Sequence, residues 1–461
     1  MRIIKLFKNH ILALLAAVAL IIITCNADLT LPAYMSEIVD VGIQQGGIES
    51  PVPDTIRRDS LDDLEMFMSE EDVSIVEAAY SSPNEQGICT YQGTEAERAD
   101  DGAVAQAMSL PETVALALAQ GVDASHLGQE GTGRGSLSMD DVRAAFAAGM
   151  LDRDQLVEGA QAMADSMGEM GGSIVRQRAV GYVQQEYEAQ GISLADVQNS
   201  YLAGMTAKMF GLCAISLVAT ILTGAVASHT ACTIARDLRR KTFHKVMSFS
   251  AAEVGKFSQA SLITRCTNDI QQIQMASTLL IRMVLMAPIM GTVALVRVFA
   301  TKTGLEWTIG IAVIAVSAVV GVLMGLTMPK FKKMQQFIDR VNLVAREILD
   351  GLMPIRAFGR QDHELKRFDK ASMDLMDTQL FTNRAMSFMM PLMMLVMNCI
   401  MVLIVWAGSH GVSEGVMQVG DMMAFMSYTM QIVMAFMILT MVSVMMPRAE
   451  VACERMEEVL A

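Results

Sequence analysis

Six apolar stretches free of charged side chains constrain this chain more than any other feature. Ile11–Ala27, Met209–Ala235, Met283–Val296, Trp307–Met328, Ala385–Ser409 and Met422–Met446 carry no Asp, Glu, Lys or Arg. A helix needs about 20 apolar residues to cross a hydrocarbon core of roughly 30 Å, because it rises only about 1.5 Å per residue. The third run is short, but its apolar pattern extends from about Met275 to Phe299, so Arg282 and Arg297 lie inside that span or snorkel from it. With 52% apolar and 18% charged residues, the chain is neither intrinsically disordered nor composed like an ordinary soluble enzyme.

Lysine and arginine collect beside particular spans. Arg2, Lys5 and Lys8 precede the first, Arg236, Arg239, Arg240, Lys241 and Lys245 follow the second, and Lys330, Lys332 and Lys333 follow the fourth. The connection His410–Asp421 between spans five and six holds Glu414 and Asp421 but no base. Basic loops stay on the cytoplasmic side, so six crossings with both termini cytoplasmic are predicted. A basic start and an apolar centre would also suit a signal peptide, but no small-residue cleavage pattern follows Ile11–Ala27, and the segment is expected to stay as an anchor.

Charge is divided unevenly. Residues 44–200 hold 28 acids and 8 bases, net −20, with no lysine, although the whole chain is only −14. That insertion is expected outside the membrane, between spans one and two, as small helices joined by Gly/Ser-rich loops such as Gly128–Ser136. Serine caps with an acid three residues on are predicted at Ser109–Glu112, Ser138–Asp141 and Ser193–Asp196, ending near Gly121, Gly149 and Gly204. LSMDDVRAAFAAGM and ISLADVQNSYLAGM align, as a duplicated unit or by convergent capping. A helix over Ile174–Ala189 is expected to lead into span two. The seven cysteines are scattered singly, which argues against a disulfide scaffold or a structural zinc.

No catalytic motif is present. The phosphate-cradling GxxxxGK[ST] pattern is absent, as are HExxH and GxSxG, and Asp152 and Asp154 lack the glycine a calcium hairpin needs. Instead, two long connections, Arg236–Gln274 and Pro329–Arg384, are rich in helix formers of mixed charge. They predict helices running well past the bilayer into hairpins that turn near Ser250–Ser261 and Asn342–Gly351. Short loops would suffice merely to join neighbouring spans, so the length favours levers that touch something else.

LTLPAYMSEIVDVGI (Leu29–Ile43), ARDLRRKTFHKVMSFSAAEVGKFSQASLITRCTNDIQQIQ (Ala235–Gln274) and FIDRVNLVAREILDGLMPIRAFGRQDHELKRF (Phe337–Phe368) resemble the membrane half of an ABC exporter with six spans per subunit. PRAEVACERMEEVL (Pro447–Leu460) resembles the linker entering its ATPase domain; the enlarged insertion departs from the family's short loop. The resemblance implies an all-α membrane protein: residues 1–43 as elbow and span one, 44–200 as insertion, 201–446 as spans two to six, and 447–461 as linker. It implies that the tips couple to ATPase domains, through Phe249, Glu253, Ser261, Thr264 and Arg265 in one and Asn342, Arg346, Glu347, Asp350 and Gly351 in the other. ATP and Mg would sit on an ATPase domain attached beyond Ala461, as the linker-like ending favours, or on a separate subunit. It also implies a second transporter subunit, a bacterial plasma-membrane location and no nucleic-acid partner.

Met423, Met426, Met430, Met434, Met437, Met441 and Met445 fall at spacings of 3 or 4 and so form one helical stripe. A stripe of this kind packs against lipid or helices, or it lines a path with soft, adaptable surface. Copper(I) transport through thioethers lacks the accompanying Cys or His pair. Arg282, Asn398 and Gln431 are the polar candidates for that path. For Arg282, snorkelling and pairing with a lipid headgroup or substrate carboxylate stand level. The competing class is a membrane receptor or scaffold whose insertion binds a ligand without transport.

Overall fold

A computed structural model describes residues 7–99, 102–120, 139–148, 150–166, 171–250, 257, 259–301, 303–413 and 417–460. A 3-10 turn (Phe7–His10) leads into α1 (Ile11–Glu37), which continues as a π-helical segment, Ile38–Gln44. The insertion follows as β1 (Thr55–Arg57), α2 (Arg58–Glu65), α3 (Glu70–Ala79), β2 (Ile88–Thr90), α4 (Glu95–Arg98), α5 (Ala103–Ala119), α6 (Met139–Ala147), α7 (Arg153–Ser166) and α8 (Gly171–Ala189). Then come α9 (Leu194–Met247), α10 (Gln259–Thr264), α11 (Ile270–Leu279), α12 (Met286–Thr301), α13 (Glu306–Asp350), α14 (Leu352–Ala357), α15 (Gln361–Ser413) and α16 (Val419–Leu460). Two π-helical segments, Arg265–Asp269 and Leu280–Val284, join α10 to α11 and close the end of α11.

The fold is that of an all-α membrane protein. Each of the six apolar runs lies in a helix long and apolar enough to span a bilayer. At about 1.5 Å per residue, the 54 residues of α9 and the 45 of α13 give rods far longer than a hydrocarbon core of roughly 30 Å. A seventh stretch, Ala96–Ala119, which includes α5, is also long and apolar enough to span a bilayer. Its apolar window is 72% buried, against 11% to 39% in the other six, so α5 is the core helix of the insertion.

By its contacts the chain divides into two compact units. One comprises Ala27–Ser216 and Ala407–Phe425. Here α5 buries Val104, Ala105, Met108 and Ala115 against Val52, Ile56, Leu61, Leu64 and Cys89. On its far side Val114 and Leu118 pack with Phe67, Val142, Leu156 and Ala160. The insertion therefore differs from a purely helical expectation, since β1 and β2 pair antiparallel with Ile56 opposite Cys89. Ser109 does not cap α5. Gly102 precedes the helix, and the Ser109 hydroxyl donates to the Ala105 carbonyl from mid-helix. Ser193 behaves as expected, accepting from the Asp196 N–H at 3.3 Å, and Gly191 (φ +79°) breaks α8 from α9. Gly204 lies inside α9 and ends nothing. Ser138, Gly121, Gly149 and the loop Gly128–Ser136 lie outside the described residues.

The other unit comprises Met1–Asn26, Leu217–Trp406 and Met426–Ala461. Its main cluster draws Ala17 from α1, Ala227, Ile234 and Leu238 from α9, Ile270 and Ile273 from α11, and Ala452, Cys453 and Met456 from α16. Small residues here let the helices approach closely, which is how helices pack where lipid supplies no hydrophobic drive. Ile21, Cys25, Ala287, Met290 and Ala435 form a second cluster.

Candidate coupling surfaces and a membrane cavity

α9 ends at Met247 and α10 begins at Gln259, and most of the intervening stretch, residues 251–256 and 258, lies outside the described residues. Phe249 stacks on Phe257, with ring centroids 5.9 Å apart, and the Arg265 guanidinium lies 5.0 Å from the Phe257 centroid. Arg265 also donates to the Arg455 carbonyl at 2.6 Å and pairs with Glu458 at 2.7 Å. One guanidinium thus joins the base of the first hairpin to the last turns of α16. Ser261 is half-buried, Thr264 is exposed and donates to the Ala260 carbonyl at 2.9 Å, and Glu253 lies outside the described residues.

The second hairpin turns later than expected. Asn342, Arg346, Glu347 and Asp350 lie in the final turns of α13, and the reversal runs from Gly351 through α14 to Arg360. The physical reason is helix strength: VNLVAREILD contains no breaker, whereas Gly351 ends α13 and Gly359 (φ +62°) ends α14. Arg367 pairs with Glu347, and Arg340 with Asp374 at 3.7 Å, so α13 and α15 are clipped together below the turn. The turn itself presents Leu349 (72% exposed), Met353 (77%) and Phe358 (82%). Met353 and Phe358 are functional candidates the sequence reading missed. The Gly-x7-Gly frame around LMPIRAF was the signal for them.

Among the substrate-path candidates, Arg282 sits in the π-helical segment Leu280–Val284. It lines a cavity of about 270 Å³ with Thr24, Thr220, Thr223, Thr278, Met283 and Met286. Arg282 has no carboxylate partner among the described residues, and π-turns recur at functional positions. Asn398 is exposed on α15 and Gln431 half-buried on α16, neither in that cavity. The methionine stripe is not the packed face of its helix. Phe425, Tyr428, Ile432, Val433 and Ala435 are buried, while Met430 (38%), Met434 (44%) and Met441 (55%) are exposed and Met423, Met426 and Met437 are intermediate.

Long apolar helices that continue into extended hairpins, one ending in an exposed apolar turn, are the architecture of a transporter's membrane region. The sequence model described as the ABC transporter transmembrane region matches residues 171–436, more than half of the chain. The chain belongs to that family. It is 32% identical over 283 residues to an uncharacterized ABC transporter ATP-binding protein of Mycobacterium tuberculosis (strain CDC 1551 / Oshkosh), covering 60% of this chain and 48% of that protein. It is 33% identical over 272 residues to the uncharacterized ABC transporter ATP-binding protein YfiB of Bacillus subtilis (strain 168), covering 59% and 47%. An ATP-dependent lipid A-core flippase of Pseudomonas fluorescens (strain Pf0-1) is 26% identical over 198 residues, covering 42% and 32%. The chain spans about half the length, or less, of these curated relatives.

Proposed function

We propose that this chain is the permease half of an ATP-driven exporter of the bacterial plasma membrane, with both termini cytoplasmic. It moves lipophilic compounds, lipids or peptides by alternating access. ATP and Mg bind an ATPase domain in cis or in trans, and a second transporter subunit completes the pathway. One observation carries this reading: the hairpin turn at α14 exposes Leu349, Met353 and Phe358 together, an apolar patch at the end of a rod with no partner of its own among the described residues. Such a tip docks against another protein. Closure of ATPase domains would favour one packing of the rods over another, shifting a two-state equilibrium.

The path reading is supported by the exposed methionine stripe and by Arg282 in its cavity. The linker role of residues 447–460 is supported by the contacts of Arg265 with Arg455 and Glu458. The test is site-specific crosslinking from Phe249 and Met353 in native membranes. Capture of a nucleotide hydrolase, together with ATP-dependent uptake of a lipophilic dye into inverted vesicles, is the expected result. Crosslinks that reach no hydrolase from either tip would instead favour a receptor or scaffold.

A further inference from the structure

An open concavity of the insertion has no role in the reading above. It occupies about 840 Å³ between the segment after the first π-turn and the start of α9, and its lining includes Glu49, Asp54, Arg98, Tyr187, Asp196 and Tyr201. Its walls are pinned by hydrogen bonds. The Ser50 hydroxyl donates to the Arg98 carbonyl at 2.7 Å, the Asp54 N–H to the Tyr187 oxygen at 2.9 Å, and the Gln198 amide to the Gly42 carbonyl at 2.8 Å. Gly47 closes the floor. A Cβ there would stand 2.8 Å from Gln198 Cα and 3.1 Å from Tyr201 Cβ, and its φ of +84° suits only glycine. The shape is therefore set before any ligand arrives.

Charge in the concavity does not balance. Asp54 is consumed by its ion pair with Arg98, whereas Glu49 and Asp196 have no ion-pair partner among the described residues. No lysine exists anywhere in residues 44–200 to compete for them. Two carboxylates and two tyrosines make a poor shell for a hard metal ion, since Ca²⁺ takes 6–8 oxygen ligands and no cluster of three metal-ligating side chains occurs among the described residues. They suit a cation with an apolar body, which gains from carboxylates at its charge and from tyrosine faces at its flank.

We infer that the concavity between Glu49, Asp196 and Tyr201 binds an organic cation, a substituted amine or quaternary ammonium. This inference does not depend on the transport reading. It is tested by calorimetric titration of the full chain in nanodiscs with tetrapropylammonium, with propanesulfonate as the anionic control. Saturable binding of the ammonium alone is expected. The Glu49→Gln/Asp196→Asn double variant should weaken it roughly tenfold or more, Tyr201→Leu should weaken it severalfold, and Tyr201→Phe should retain it. Removing two exposed acids elsewhere, Glu71→Gln/Glu85→Gln, should change affinity less than about twofold. The inference is overturned by no saturable binding at millimolar ligand, by an unchanged affinity in the Glu49/Asp196 variant, or by an equal loss in the Glu71/Glu85 control, which would mark a diffuse field. Cys89 reactivity reports whether each variant keeps its insertion core, since that thiol is fully buried.

Discussion

Gly420 donates its backbone N–H to Asp40 Oδ1 at 2.8 Å, across 380 residues of chain. The approach is possible only without a side chain. A Cβ on Gly420 would lie 2.2 Å from Asp40 Oδ2 and 2.5 Å from the Ser36 carbonyl. Ser36 stands between two carboxylates, with Oγ 3.2 Å from Asp40 Oδ2 and 3.4 Å from Asp421 Oδ1. Gly420→Ala should therefore destabilise the chain by about 1–3 kcal/mol. Gly408→Ala should cost less, because its intruder would meet the flexible Met422 thioether at 2.8 Å. Thermal melts of the two variants in one detergent compare them directly.

A second test concerns Glu186 in α8. Burial pushes this carboxyl up, but hydrogen bonds from the Arg57 side chain, Gln190, the Arg57 N–H and Ser60 outweigh it, and its pKa falls below the ordinary glutamate value of 4.5. Its folded pKa is thus depressed, so its stabilisation is present above pH 4.5 and lost as pH falls through the lower folded value. Glu186→Gln should cost about 1–3 kcal/mol near neutral pH by weakening the hydrogen bonds it accepts from Arg57 and Ser60, and should lessen the acid sensitivity of the insertion. The rate of Cys89 alkylation, compared with wild type at each pH, measures both.

Glu112 has the opposite sign. It is fully buried in α5, neither carboxyl oxygen has a hydrogen-bond partner, and desolvation raises its pKa well above 4.5. A raised folded pKa gives stability that is complete below pH 4.5 and is lost as pH rises toward the folded value. Glu112→Gln should remove that loss, so its advantage over wild type grows with pH above 4.5 in the same alkylation assay. A constant difference at all pH values would contradict the assignment.

Arg265 makes three contacts, to Phe257, the Arg455 carbonyl and Glu458, and its side chain is only 13% exposed, whereas Glu458 is 61% exposed. An exposed ion pair alone is worth about 0–1 kcal/mol. Arg265→Met should accordingly destabilise more than Glu458→Gln, and Arg265→Lys should resemble the methionine variant, because an ammonium cannot serve a carbonyl, a carboxylate and a ring with one planar fork. Chemical denaturation of the four proteins, including Arg265→Met/Glu458→Gln, separates the pair from the rest.

The two faces of α16 should respond differently. Phe425 is wholly buried, and Phe425→Ala should cost about 3–5 kcal/mol. Met430→Leu and Met434→Leu, on the exposed stripe, should leave the melting temperature within the scatter expected of a volume-conserving change. Any change they produce in dye uptake would then report on the path rather than on folding.

The spans were legible because hydrophobicity over 20 residues has few physical outlets. The second hairpin's reversal was misplaced by about two and a half turns of helix, since nothing local stops α13 before Gly351. Ser109 misled for a related reason. A serine followed by Pro111 and Glu112 has the chemistry of a helix start, but tertiary burial of α5 overrode it, and the helix begins at Ala103. The β1–β2 ribbon is only three residues per strand, too short for its alternation to stand out. The Glu49–Asp196–Tyr201 concavity joins residues nearly 150 apart, which no local pattern reveals.

The π-turns Arg265–Asp269 and Leu280–Val284 hold the third span slightly out of phase with an ideal coil on either side of α11. Each residue of helix advances the azimuth by about 100°, so shortening either turn by one residue would swing everything beyond it by that angle. Met290, Ala287 and the rest of their cluster would then aim away from Ile21 and Ala435. The length of this span is therefore a steering parameter: a one-residue deletion there re-addresses a whole face, and no side-chain substitution could bring it back.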